Sequence, residues 1–190
     1  VTVTTFDLRT GVGRPPDPYD YITKCAACSV APPSTPHPLW SAFLDRITNN
    51  NKNLQGFLRR YMGYCITGNI SEHVFVFAYG TGANGKSTFI NTIVRILRTG
   101  EEGYACIAPM DMFLASKFTR HPTELAKLMG VRLVVAQEIP KGYRWDEAKI
   151  KQLTGGDTIT ARFMHQDFFD FTPKFKLFIV GNHKPNLGSV

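Results

Sequence analysis

Gly80-Thr81-Gly82-Ala83-Asn84-Gly85-Lys86-Ser87 satisfies the phosphate-loop (Walker A) pattern GxxxxGK[ST] at every fixed position. The apolar run Val74 to Tyr79 precedes it and the helical run Thr88 to Leu97 follows it, which is the strand, loop and helix context the motif requires. The glycines let the backbone curl so that successive N–H groups and the helix N-terminus point at one anionic site. Lys86 is then placed for the β and γ phosphates, and Ser87 for Mg²⁺. A nucleoside triphosphate with Mg²⁺, held by Gly80 to Thr88, is the ligand these residues predict.

The rest of the chain bounds the setting. Its 190 residues suffice for one sizeable core, and 43% hydrophobic with 19% charged residues is an ordinary globular balance. Lys plus Arg number 22 against 15 Asp plus Glu, a formal net charge of +7 that suits a polyanionic partner such as nucleic acid without choosing among polyanions. No apolar stretch approaches the roughly 20 residues needed to span a bilayer, and Val1-Thr2-Val3-Thr4-Thr5 lacks the regions of a signal peptide. A soluble, intracellular chain with no membrane partner is expected. Cys25 and Cys28 form one CxxC pair with no second pair at zinc-finger spacing, so reduced thiols are expected, with His37 the nearest additional zinc-ligand candidate.

Residues 1–38 contain Pro15, Pro16, Pro18, Pro32, Pro33, Pro36 and Pro38 and read as an extended arm. From Leu39 to Tyr64, apolar residues recur at spacings of three and four, and Asn49-Asn50-Asn51 interrupts them. Two amphipathic helices follow from that pattern, within a helical subdomain over 39–68. Residues 69–190 then form the phosphate-loop core, and the end of the chain shortly after an apolar strand reads as a truncation at the C-terminus.

Two further apolar runs, Val131 to Ala136 and Phe175 to Val180, have the composition of buried parallel strands. The first ends in Gln137-Glu138 and the second in Gly181-Asn182, at the carboxyl ends where open α/β sheets bind ligands. Glu138 is the candidate for polarising the water that attacks the γ-phosphate. Asn182 is the candidate for sensing that phosphate, although an Asn after a strand is ordinarily a turn residue. Helical segments are expected near Thr123 to Met129 and Asp146 to Leu153.

The order of Gly80 to Thr88, Leu133 to Glu138, Lys151-Gln152-Leu153-Thr154-Gly155-Gly156-Asp157 and Lys176 to Asn182 resembles superfamily 3 helicases. The likeness is to the phage and plasmid primase-helicases and their poxvirus relatives, over about residues 39–187. It implies an AAA+-type P-loop ATPase that works as a hexameric ring on single-stranded DNA. It also implies a primase domain in the same parent chain and a bacterial or phage-infected cytoplasm. Carried over, Lys86, Glu138 and Asn182 are the catalytic set, and Ser87 and Glu138 the Mg²⁺ site. Gln137 departs from the family's paired acids. A β-hairpin from Thr158 to Phe171, with its tip near His165 and Gln166, would precede the sensor strand and enter the ring channel, with Lys151, Arg162 and His165 as DNA-phosphate contacts. The resemblance also implies an arginine finger beyond Val190, with Arg120 and Arg144 as internal alternatives.

The expected activity is ATP-dependent DNA translocation. A phosphate loop also serves small-molecule and nucleotide kinases, and a nucleotide-binding module with lost hydrolysis would carry the same motif. The residues alone support a Mg²⁺-dependent nucleoside triphosphatase.

Overall fold

Strand segments are short throughout, and four of them make the sheet that positions everything else. The computed structural model describes residues 4–100, 102–116, 123–138, 142 and 144–184. In chain order these form β1 (Thr5–Asp7), β2 (Val12–Arg14), a 3-10 turn (Pro18–Asp20), α1 (Pro38–Ile47), α2 (Lys52–Thr67), β3 (Val76–Tyr79) and α3 (Lys86–Leu97). There follow β4 (Arg98–Thr99), β5 (Glu102–Gly103), β6 (Ala105–Ile107), a second 3-10 turn (Met110–Phe113), α4 (Thr123–Ala126) and β7 (Leu133–Gln137). The last elements are α5 (Glu147–Gly155), β8 (Ile159–Ala161), β9 (Phe169–Phe171) and β10 (Lys176–Gly181).

The main sheet has the order β3-β10-β7-β6, and every pairing in it is parallel. All six residues of β10 are buried, as are the first four of β7. Both faces are covered, which is why these strands read as continuous apolar runs rather than alternating ones. Period-two geometry sorts their side chains. Leu133, Val135, Phe178 and Val180 join the core under α3, with Phe89, Ile90 and Val94. Val134, Ala136, Leu177 and Ile179 face the opposite core, with Phe113, Trp145, Leu153 and Phe175.

The helices over 38–67 complete the α3 side. Pro38 occupies the first turn of α1, and the Asn51 side chain accepts from the Leu54 N–H at 3.0 Å to cap α2. Asn49 and Asn50 take φ values of 48° and 57°, which ends α1 and reverses the chain. Trp40 stacks on Phe89 with ring centroids 5.7 Å apart, and the Tyr61 hydroxyl donates to the Leu177 carbonyl at 2.8 Å. The proline-rich segment differs from a plain extended arm, because β1 and β2 pair as an antiparallel hairpin whose residues are mostly exposed.

Lys176 opens β10 at 2% exposure. Its ammonium donates to the Asn69 carbonyl at 2.9 Å and lies 4.5 Å from the Tyr64 ring, so β10 is tied to the end of α2. Burial pushes this ammonium down to about 8, and burial pushes the neighbouring Cys65 thiol up to about 12. A folded value below the unfolded one means that the charged form penalises folding below pH 8, and the penalty lifts as pH rises. Between pH 8 and 9 the Lys176 contribution is expected to rise by about 1 kcal/mol, and the Cys65 thiol, which begins to ionise in the unfolded chain over the same range, offsets part of that gain. Urea unfolding at pH 7, 8 and 9 measures it. Lys176→Met should remove the rise, and a rise that survives this substitution places its origin elsewhere.

Candidate nucleotide and nucleic-acid sites

The loop that carries the motif links β3 to α3, and geometry requires two of its glycines. Gly80 sits at φ 155° and Gly85 at φ 83°. A Cβ on Gly85 would meet Ile47 Cγ2 at 2.5 Å, because α1 lies directly against the loop. Gly85 is the N-cap of α3, which leaves the first amides of that helix facing the loop. Lys86 curls back over its own loop, donating to the Gly80 carbonyl at 2.8 Å, the Thr81 carbonyl at 2.9 Å and Asn84 Oδ1 at 2.8 Å. Three acceptors converge on one ammonium, so the loop is shaped around a positive charge.

The loop forms one wall of a cleft of about 630 Å³ lined by residues 82–88, Gln137, Glu138 and 180–183. Sheet order explains the convergence. With β10 between β3 and β7, Asn182 emerges between the loop and Glu138, and all three lie at carboxyl ends of parallel strands. Glu138 is exposed and follows β7 at φ 70°, a left-handed conformation at the cleft end of the strand. Gln137 is half-buried, and its Nε2 donates to Asn91 Oδ1 at 2.9 Å. Asn91 lies one turn beyond Ser87 on α3, so this bond ties the strand of Glu138 to the helix of Ser87. Past Asn182, the Lys184 ammonium lies 5.0 Å from the Tyr79 ring, joining the segment after β10 to the end of β3.

Lys86, Ser87, Thr88, Glu138 and Asn182 therefore share one cleft with the loop residues Gly82, Ala83, Asn84 and Gly85. Gly80 and Thr81 stand beside it as acceptors for Lys86. Two lining features escaped the sequence reading: His183, and the bond from Gln137 to Asn91.

Lys151, Arg162 and His165 do not line this cleft. Lys151 is exposed on α5. β8 and β9 pair antiparallel, Ile159 opposite Phe171, and His165 makes the turn between them at φ 59°. The Arg162 guanidinium lies 4.9 Å from the Phe168 ring, so it is stacked rather than free, and Met164 and Phe168 are exposed beside it. Arg144 is exposed, and Arg120 lies outside the described residues. Cys25 and Cys28 are free thiols, and no group of three or more His, Cys, Asp or Glu that could hold a metal occurs among the described residues. No helix among them is long and apolar enough to cross a membrane.

Residues 78–189 match the family described as "Family of unknown function (DUF5906)". The chain is also 29% identical over 191 residues to the protein named "Putative helicase L207/L206" of Acanthamoeba polyphaga mimivirus, an alignment that covers 97% of this chain and 19% of that protein. It thus spans about a fifth of the relative's length. Among solved structures, the apo C-terminal region of NrS-1 (305–718) superposes with a TM-score of 0.60 at 13% identity, over 85% of this chain and 37% of that one. An A-form apo structure of the NrS-1 C-terminal region gives 0.61 at 12% identity, over 87% and 38%. At these identities the likeness is one of fold.

Proposed function

We propose, from the premise that this chain belongs to the DUF5906 family of unknown function, that it is the ATP-dependent DNA helicase or translocase domain of a replicative protein. In this reading it is an AAA+-type ATPase of superfamily 3 that assembles as a hexameric ring on single-stranded DNA and hydrolyses ATP at subunit interfaces. The observation that carries the reading is the strand order β3-β10-β7, which gathers Lys86, Glu138 and Asn182 around one cleft. The mimivirus relative's name supports it from an independent direction.

ATP and Mg²⁺ fit the residues present. Lys86, the loop amides and the α3 N-terminus supply positive potential for the phosphates. The Ser87 hydroxyl would hold Mg²⁺ directly, and the Glu138 carboxylate would hold it through water. Bound Mg²⁺ supplies charge neutralisation on the phosphates. Glu138 orients the attacking water and accepts its proton, and the Asn182 amide holds that water or the γ-phosphate in line. Gln137, bonded to Asn91, keeps the acid-bearing strand at a fixed distance from Ser87.

The test is ATP turnover with and without single-stranded DNA. Stimulation by DNA is expected, whereas phosphoryl transfer to a small acceptor would identify a kinase, and binding without turnover a nucleotide-binding module. The hairpin enters the same assay. Replacing Arg162 and His165 together by Gln is expected to weaken DNA binding and lower the slope of log affinity against log salt by about 1 to 2, with ATP binding kept. An unchanged slope would move the DNA contact away from the hairpin.

A further inference from the structure

His183 is the cleft residue with no part in the chemistry above. It follows Asn182 at the end of β10, the strand flanked by the loop strand on one side and the Glu138 strand on the other. Among the described residues lining the cleft, only Lys86 and His183 have side chains able to bring positive charge to a phosphate. Their positions are complementary. Lys86 rises from the first turn of α3 and is bonded to the loop, whereas His183 stands across the cleft with Asn182. The backbone that carries it is fastened on both sides, by β10 before it and by the Lys184 contact with Tyr79 after it. The imidazole lines the cleft directly after β10 and carries an N–H able to donate there.

Resting on the reading of this cleft as a nucleoside triphosphate site, we infer that His183 donates a hydrogen bond to the terminal phosphate. It thereby makes the cleft prefer a nucleoside triphosphate over the diphosphate. The terminal phosphate is the group bounded by Lys86, Glu138 and the end of β10, while the inner phosphates lie on the loop amides and the α3 N-terminus. A donor from the β10 side therefore touches what ATP has and ADP lacks. The neighbouring charges are Lys86 and Glu138 in the cleft and Lys184 held on Tyr79.

The test is equilibrium titration of the 190-residue chain with MgATP and with MgADP, for wild type, His183→Ala, His183→Gln and Lys86→Ala, with thermal unfolding of each as the check on folding. His183→Ala is expected to weaken ATP binding about 10-fold and leave ADP binding within about twofold, the loss of one hydrogen bond to a charged group. His183→Gln, which keeps a donor, should recover part of that loss, and Lys86→Ala should weaken both nucleotides. An unchanged ratio of ATP to ADP affinity in a folded His183→Ala chain overturns the role of His183 alone. Wild-type chain that binds neither nucleotide overturns the reading of the cleft itself.

Discussion

Replacing Lys86 by alanine is expected to weaken binding of ATP and ADP by about 100-fold or more. Two losses add. On the proposed reading the ammonium is the strongest positive charge that would face the phosphates, and a hydrogen bond to a charged partner contributes about 1.5–3 kcal/mol. The same group also organises the loop, because the carbonyls of Gly80 and Thr81 and the Asn84 side chain all converge on it. Without it those acceptors lose their common partner, and the loop must be ordered by the nucleotide at binding. Fluorescent-nucleotide titration measures the effect, with thermal unfolding as control, since Lys86 is half-buried at the cleft and outside both apolar cores. Affinity within threefold of wild type would remove Lys86 from the phosphate site.

Glu138→Gln separates binding from chemistry. The amide keeps the shape of the side chain, but it cannot accept a proton from water at neutral pH. General-base catalysis is worth about 10² to 10⁴ in rate, so turnover should fall by about that factor while the nucleotide dissociation constant stays within about threefold. Phosphate release under single-turnover conditions reads it directly. If hydrolysis persists near its wild-type rate, the exposed acid at the end of β7 merely terminates a strand.

These two residues were identifiable from sequence for different reasons than the ones that escaped. The loop is a fixed spacing of glycines, Lys and Ser, and its geometry is local, so eight consecutive letters carry it. β7 and β10 showed themselves because both of their faces are buried and their residues are uniformly apolar. The split between α1 and α2 was visible because three asparagines tolerate the left-handed turn that two of them adopt. β6 carries no such signal: it is three residues long, with Ala105 buried and Ile107 exposed. β1 and β2 are three residues each, half-buried and exposed respectively, so no apolar periodicity marks them. α4 was expected to run to Met129 but ends at Ala126, since a single turn has too few positions to establish a helical period. Arg162 and Phe168 meet only because the hairpin folds, and His183 reaches the cleft only because β10 is placed between β3 and β7. Such residues are fixed by topology, and no window of sequence contains it.

The central place of β10 also dictates the order in which this protein can be made. As the chain leaves the ribosome, β3 and the loop after it emerge early, yet β10, the partner of β3 among the described residues, lies about a hundred residues later. Until that strand arrives, β3 has no neighbour in the sheet, the Tyr61 hydroxyl has no Leu177 carbonyl to bond, and the end of α2 has no Lys176 to hold it. β6 and β7 can pair with each other beforehand, leaving two half-built pieces with apolar flanks open to solvent. Vectorial synthesis therefore stores its aggregation hazard in the nascent chain up to about residue 175, and translation of β10 closes both gaps in one step. The cleft cannot assemble before that moment either, because β10 is the strand that sets the loop beside Glu138.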